Sequence, residues 1–284
     1  MSAGAGPRNE ASTAMTAGTN TVTSDPLRLL RAAADAAGRA LSDARARHTP
    51  AELAAEIGLG GDGTPTSRLD EIVDQAVLAE IDRFGVNVLS EEVGWVDRGS
   101  AITLAVDPVD GTANALAQVP VFTFSAAVVT DGIPTAALTR WFDGGRDYVV
   151  VKGQPVDPAW RTTGRTSLDG AAVSLLRPQR AERDAWWAVT EPAGRIRILS
   201  CSTFESMLVC QGATDAFVDA GGDVHRYVDL VAAQVFAEAA GAALGDVRGR
   251  PFEFDVDLTR RWSGIVAATP ELLAEIQAAV APYV

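Results

Sequence analysis

Histidine, cysteine and lysine are nearly absent from this chain of 284 residues: it holds two histidines, His48 and His225, two cysteines, Cys201 and Cys210, and one lysine, Lys152. The histidines are far apart, and neither an HExxH nor a Ser-His-Asp pattern is visible. Catalysis, if present, then rests on carboxylates and hydroxyls. The cysteines form no CxxC pair, which excludes a disulfide framework and makes a reducing cytoplasm the default location. No apolar run is long enough to span a membrane. Residues 1–25 lack the basic start and apolar core of a signal peptide. Rich in Ala, Ser, Thr and Gly and without apolar period, they read as a disordered tail, or as an extension upstream of a start at Met15. Positive charge is scarce as well: 24 Lys and Arg face 37 Asp and Glu, a net charge of −13. That argues against nucleic acid or an anionic membrane as partner. It does not oppose a phosphorylated substrate, because bound cations reverse the sign of a local site.

What is present is ordinary for a globular protein: 47% hydrophobic and 21% charged residues, in a length that suits one large domain or two layered subdomains. Pro26–Arg47 reads as a helix capped by Asp25, with Leu29, Leu30, Ala33, Ala37, Ala40 and Leu41 on one stripe. Pro50 and the glycines between Gly58 and Gly63 break the chain, and Leu69–Phe84 is a second helix. Strands are expected at Val86–Leu89, Thr103–Val106, Val121–Thr130, Pro134–Trp141 and Tyr148–Val151, with a hairpin at Asp131-Gly132. Gln154–Gly170 is a long connection, a seam between subdomains. Beyond it, strands near Ala171–Leu176, Arg195–Leu199, Asp215–Val218, Ala243–Val247 and Gly264–Ala268 alternate with helices at Ala181–Thr190, Thr203–Gln211, Tyr227–Ala240 and Pro270–Ala281. No internal repeat is visible. The pattern is a layered α/β protein with two lobes.

One stretch carries the chemistry. Ala105-Val106-Asp107-Pro108-Val109-Asp110-Gly111-Thr112-Ala113-Asn114 leaves a strand, turns through Asp-Pro and Asp-Gly, and enters a helix. Two hard oxygen ligands there lie beside unpaired backbone N–H groups; the first suit Mg2+ and the second a phosphate. Further acids are Ser90-Glu91-Glu92 after a strand, Asp70 at the start of a helix, and Asp229 near another helix start. Singly, each reads more readily as a turn, a solvated corner or a helix-dipole charge. Brought together at ~4 Å, carboxylates repel by about 4 kcal/mol per pair at an effective dielectric of ~20, so a convergent cluster needs cations. All-oxygen ligation selects Mg2+, Mn2+ or Ca2+ over zinc.

Asp107-Pro108-Val109-Asp110-Gly111-Thr112-Ala113-Asn114 resembles the DP(I/V)DGTxN signature of the inositol monophosphatase superfamily. Glu91-Glu92 is similar to its upstream acidic pair. Val228-Asp229-Leu230-Val231-Ala232-Ala233, followed by Glu238-Ala239-Ala240-Gly241, resembles its WDxAAG…EAGG element. Gly61-Asp62-Gly63-Thr64-Pro65-Thr66 with Asp70 resembles the DGTPTxxxD segment of the archaeal-type fructose-1,6-bisphosphatase/inositol monophosphatase branch. The four elements occur in family order over roughly Leu27 to the C-terminus. The resemblance implies a layered αβαβα sandwich and two or three Mg2+ per site, with Mn2+ as a substitute. It implies Glu91, Asp107, Asp110, Asp229 and the Val109 carbonyl as metal ligands. It further implies Thr112 and Asp70 as the dyad that activates water, and the N–H groups of Gly111 and Thr112 as the phosphate cradle. Residues 26–153 then form an N-terminal lobe with most ligands, and residues 154–284 a C-terminal lobe with Asp229.

Departures fall at Val228, where the family has Trp, at Ser200-Cys201-Ser202-Thr203, where G(S/T)A is common, and at Lys152-Gly153-Gln154-Pro155, a shortened hairpin. The last two bear on specificity. The expected activity is Mg2+-dependent hydrolysis of a sugar or polyol phosphate, fructose 1,6-bisphosphate or an inositol monophosphate, with inhibition by lithium and, by resemblance, a homodimer. Arg197 and Arg226 are candidates for a distal phosphate, with a structural ion pair as the alternative for each. Asp219 and Asp223 are candidate acceptors for sugar hydroxyls. Two alternatives stand beside this: a phosphatase for another small ester, such as a cyclitol or histidinol phosphate, and a weakly active family member that acts mainly as a binding scaffold.

Overall fold

The computed structural model describes Met1 and residues 25–284, so the tail expected over residues 1–25 lies outside the described residues except for its two ends. Helix α1 spans Pro26–Arg47, and Asp25 caps it by accepting from Leu27 N at 3.0 Å. A four-residue helix α2, Pro50–Leu53, follows. The glycine-rich segment expected to be irregular is instead an antiparallel hairpin, β1 (Glu56–Leu59) and β2 (Pro65–Ser67). Its strands are short and mostly exposed, so no alternating apolar pattern announces them. Helix α3, Arg68–Ile81, starts on a capping box in which Ser67 and Asp70 bind each other's backbone N–H.

Strands β3 (Asn87–Ser90), β4 (Gly94–Val96) and β5 (Ile102–Asp110) come next, and β4 has no counterpart in the sequence reading. β5 is longer than expected. It passes through Asp107-Pro108 by a register shift between Asp107 and Asp110, since proline offers no N–H to the ladder. Helix α4 (Thr112–Ala117) leads to β6 (Thr123–Thr130), β7 (Ile133–Trp141) and β8 (Arg146–Val151). The β6–β7 turn is the expected one, with Asp131 and Gly132 both at positive φ. After the connection come β9 (Ala172–Leu175), α5 (Arg183–Thr190), β10 (Arg195–Arg197), α6 (Ser202–Cys210) and β11 (Ala216–Val218). The chain ends with α7 (Tyr227–Ala240), β12 (Ala243–Asp246), β13 (Gly264–Ala267) and α8 (Pro270–Val280).

These elements stack in five layers. The six-stranded sheet has the order β4-β3-β5-β6-β7-β8 and the five-stranded sheet β10-β9-β11-β13-β12. The period of two in each strand decides which layer each side chain joins. Leu104 and Val106 of β5, with Phe124 and Ala126 of β6, pack against Leu29, Leu30, Leu69 and Val73 of α1 and α3. Ala105 and Ala127 point the other way, onto α6 and α7, which also cover Phe217 and Val266 of the second sheet. The far face of that sheet, Val173, Ala216 and Ile265, meets α5 and α8. The result is the αβαβα sandwich. Its middle helical layer is buried on both sides, between the two sheets, and α7 is apolar over most of its surface. Among the described residues no helix is long and apolar enough to cross a membrane.

Candidate active site

Parallel pairing brings the first two acids together. Ser90 of β3 lies opposite Val106 of β5, so Glu91, the residue after β3, comes beside Asp107, which is still within β5. Asp229 arrives from the other side, in the first turn of α7. Ligand oxygens of Glu91, Asp107 and Asp229 lie within 4.8 Å of one another, which is the spacing a shared cation needs. Asp110 closes β5 beside them. Its Oδ2 accepts from Thr203 N at 2.7 Å, Thr203 Oγ1 at 2.7 Å and Cys201 Sγ at 3.2 Å. The altered segment Ser200–Thr203, read from sequence as a specificity element, therefore also holds one of the acids in place. Ser200 takes φ 58°, a left-handed conformation that favours glycine, the residue common at this position in the resembling motif.

The water-activating pair expected from the sequence is in contact. Thr112 Oγ1 lies 2.8 Å from Asp70 Oδ1 and 2.9 Å from the Val109 carbonyl oxygen. Gly111, at φ 83°, opens α4 without any side-chain cap, which leaves the first N–H groups of that helix open to an anion. A Cβ on Gly111 would lie 3.2 Å from both the Ser200 and Val121 carbonyl oxygens, so glycine is required by space as well as by φ.

The electrostatics are those of a cluster in which buried acids outnumber the one guanidinium among them, Arg226. Burial, followed by repulsion from Glu91, Asp110 and Asp229, pushes Asp107 well above the usual carboxylate range. Burial also raises Asp110 against its hydrogen bonds from Thr203, and raises Glu91 against the attraction of Arg226. Asp70 is raised by burial as well, which makes it a stronger base than a solvated aspartate. Close carboxylates of this kind fit a hard divalent cation, which would be held by Glu91, Asp107, Asp110 and Asp229.

Of the two readings of Arg226, the structure shows the ion pair. Its guanidinium sits among the acids, donating to Asp229 Oδ2 at 2.9 Å and Oδ1 at 2.8 Å, to Asp62 Oδ2 at 3.1 Å and to Glu91. Burial works to lower its pKa, but Asp229 and Glu91 hold it well above the usual value. Arg226 is thus an internal cation for the same oxygens a metal would use. Arg226→Gln is expected to cost the metal-free protein about 3 kcal/mol, because buried acids lose their partner. That corresponds to roughly 10 °C in melting temperature. Added Mg2+ should restore more stability to this variant than to the wild type. Equal Mg2+-induced shifts in thermal melts would show that Arg226 and the cation do not compete.

Asp219 and Asp223, the candidate acceptors for sugar hydroxyls, are engaged within the fold. Asp219 accepts from the backbone of Gly221, Gly222 and Val224, which fixes its own turn. Asp223 pairs with Arg248 at 2.7 Å and accepts from Ser263 Oγ at 2.7 Å. Both carboxylates make these bonds within the C-terminal half. Arg197 differs: it lies on β10 beside Ser174, and its Nη1 is buried without a partner. The sequence reading gave no individual role to Asp62, Arg261, Thr203 or Glu92. Asp62, at the tip of the β1–β2 hairpin, joins Arg226 to Arg261, whose Nη2 lies 3.0 Å from it. Its signal was present in Gly61-Asp62-Gly63, which reads equally as a turn.

Comparison with known proteins agrees with this geometry. A model of the inositol monophosphatase family matches residues 25–283. A fructose-1,6-bisphosphatase/inositol-1-monophosphatase of Thermococcus kodakarensis is 29% identical over 227 residues, covering 78% of this chain and 84% of that protein. A protein of the same description from Methanocaldococcus jannaschii is 27% identical over 219 residues, covering 76% and 85%. Among solved structures, an inositol monophosphatase–fructose 1,6-bisphosphatase superimposes with a TM-score of 0.76 at 24% identity, over 89% of this chain and 98% of that one. The extragenic suppressor protein suhB of Bartonella henselae gives 0.73 at 22% identity, over 89% and 97%. These likenesses to solved structures bear on the fold alone.

Proposed function

The chain belongs to the inositol monophosphatase family, and on that premise we propose that it hydrolyses fructose 1,6-bisphosphate or an inositol monophosphate with Mg2+. The observation that carries the proposal is the convergence of Glu91, Asp107 and Asp229 beside the Asp70–Thr112 contact. It is supported by the relatives from Thermococcus and Methanocaldococcus, both described as acting on the two substrate classes. Mg2+ or Mn2+, when bound at these acids, supplies water activation and neutralises charge on the phosphoryl and leaving oxygens.

The chain's own residues do the rest. The N–H groups at the start of α4 bind the phosphate oxygens and fix the phosphorus in line with the attacking water. Thr112 Oγ1, held by Asp70, orients that water and takes its proton as it attacks. Asp70, whose basicity is raised by burial, receives the proton from Thr112. Attack by water forms the new P–O bond and breaks the ester P–O bond; the leaving oxygen takes a proton from solvent to become the alcohol, inorganic phosphate is released, and Asp70 returns its proton to solvent. No side-chain nucleophile is required, so no phosphoenzyme forms. Arg197 is proposed as the cation for a second anionic group of the substrate. The proposal extends to a cytoplasmic homodimer inhibited by lithium.

The test is phosphate release from fructose 1,6-bisphosphate, inositol 1-phosphate and histidinol phosphate, each with Mg2+ and with EDTA. Turnover of one of the first two that disappears in EDTA is the expected result. Turnover of histidinol phosphate alone would move the assignment to another small ester. No turnover of any ester with metal bound would favour a binding role.

A further inference from the structure

We propose that Glu205 and Asn114 are positioning residues: they clamp the turn between β10 and α6 from two sides, and through it hold Asp110 and the phosphate cradle of α4 in place. The inference rests on the proposed function, in which Asp110 is a metal ligand.

The turn, residues 198–201, cannot hold itself. It lies between the end of β10 at Arg197 and the start of α6 at Ser202, so its N–H groups need partners outside those ladders. Ser200 within it takes φ 58°. In that left-handed conformation Cβ crowds the following carbonyl oxygen, and only glycine adopts it freely. The segment has serine at this position, so its own backbone preference opposes the observed turn.

Glu205 supplies the missing partners from the first turn of α6. The residue is 0% exposed. Its Oε2 accepts from Cys201 N at 3.2 Å, as a helix-start cap would. Its Oε1 accepts from Leu199 N at 3.0 Å, which lies beyond the helix and on the other side of Ser200. Both oxygens of one carboxylate thus bracket the strained residue. Burying a carboxylate costs desolvation that an apolar side chain of the same size would not. The two backbone bonds are what the carboxylate adds. From the α4 side, Asn114 Nδ2 donates to the Leu199 carbonyl oxygen at 2.8 Å and to that of Val121 at 2.7 Å.

What the turn touches is the corner where β5 passes into α4. Cys201 Sγ and the N–H and hydroxyl of Thr203 donate to Asp110 Oδ2. The Ser200 carbonyl oxygen lies where a Cβ on Gly111 would come within 3.2 Å. A turn that relaxed from φ 58° would withdraw the donors from Asp110 and move the wall behind Gly111. Glu205 therefore acts through the turn and not on the substrate.

Mn2+ affinity of the full chain, measured by electron paramagnetic resonance, tests this apart from turnover, and Mg2+ titration of phosphate release tests it with turnover. Glu205→Gln keeps the shape of the side chain but sets an NH2 group against one of the two N–H donors. It is expected to weaken Mn2+ binding about tenfold, the worth of one hydrogen bond to a charged group. The Mg2+ concentration for half-maximal turnover should rise by a similar factor. Adding Ser200→Gly, which removes the cost of the left-handed turn, should restore most of the loss. A melting temperature that falls while Mn2+ affinity stays at the wild-type value would make Glu205 merely structural and overturn the proposal. So would a loss of affinity that Ser200→Gly does not repair. Asp110→Asn is the control. If it weakens Mn2+ binding and Glu205→Gln does not, the clamp alone is wrong; if neither does, the ligand reading of Asp110 falls and the clamp with it. Should Glu205→Gln fail to fold by circular dichroism, Asn114→Ala is measured instead. Weaker Mn2+ binding that Ser200→Gly restores upholds the clamp, and unchanged affinity overturns it.

Discussion

Asp110→Asn is expected to lower turnover on the order of a thousandfold or more, because several kcal/mol of charge stabilisation are lost at ~1.4 kcal/mol per factor of ten. The substitution keeps the shape of the side chain. Its amide oxygen can still accept from Thr203 N and Oγ1, the two bonds of 2.7 Å that now hold Oδ2. What disappears is one negative charge beside Asp107 and Asp229. Without metal that charge is a burden, since burial and then Asp229 work to raise the Asp110 pKa. The variant should therefore melt in EDTA at or above the wild-type temperature. The pH dependence carries the same sign. Asp107 and Asp110 titrate above their ordinary value of 3.8 in the folded state. Their contribution is intact below that value and is lost as pH rises through the raised folded values. Metal-free wild type should thus lose stability as pH rises from acid toward neutral, and Asp110→Asn should lose less. Near-normal turnover of the variant with saturating Mg2+ would remove Asp110 from the ligand set.

Thr112→Ala should reduce kcat by about 10²–10⁴, the range for loss of a positioned proton acceptor, with KM changed only a few-fold. The backbone N–H of residue 112 survives the substitution, so the phosphate keeps its cradle. The methyl side chain cannot bridge water to Asp70, now 2.8 Å from the hydroxyl. Asp70→Asn should produce a similar loss. Because the two act as one unit, the double variant should fall little below either single one. A multiplicative double effect, or a Thr112→Ala defect confined to KM, would make Thr112 a phosphate contact rather than a partner of Asp70.

Much of the fold is written in local pattern. The capped α1, the Asp131-Gly132 hairpin and the apolar α7 all follow from capping, turn and periodicity rules that act over a few residues. The hairpin β1–β2 and the short β4 escaped that reading. Strands of three or four residues are too short to show alternation; β4 is held by its pairing with β3, and the β1–β2 hairpin by its contact with the β3–β4 turn.

At the candidate site, the motif order singles out Glu91, Asp107, Asp110, Asp229, Asp70 and Thr112 as candidates; the fold brings Glu91, Asp107 and Asp229 together and puts Thr112 against Asp70. The identities of donor atoms are a property of the residues and travel with the chain. The places of Arg226, Asp219 and Asp223 were not legible in the same way. A charged side chain goes to the partners that fold nearest to it, and those partners lie far away in sequence: Asp62 and Glu91 for Arg226, Arg248 and Ser263 for Asp223. The kind of chemistry was therefore set by composition and motif, through oxygen donors with almost no histidine, cysteine or lysine. Which acids share a cation, which arginine sits among them and which carboxylates are consumed inside the fold were decided only by tertiary packing, because charge pairing over a few ångströms depends on distance in space and not along the chain.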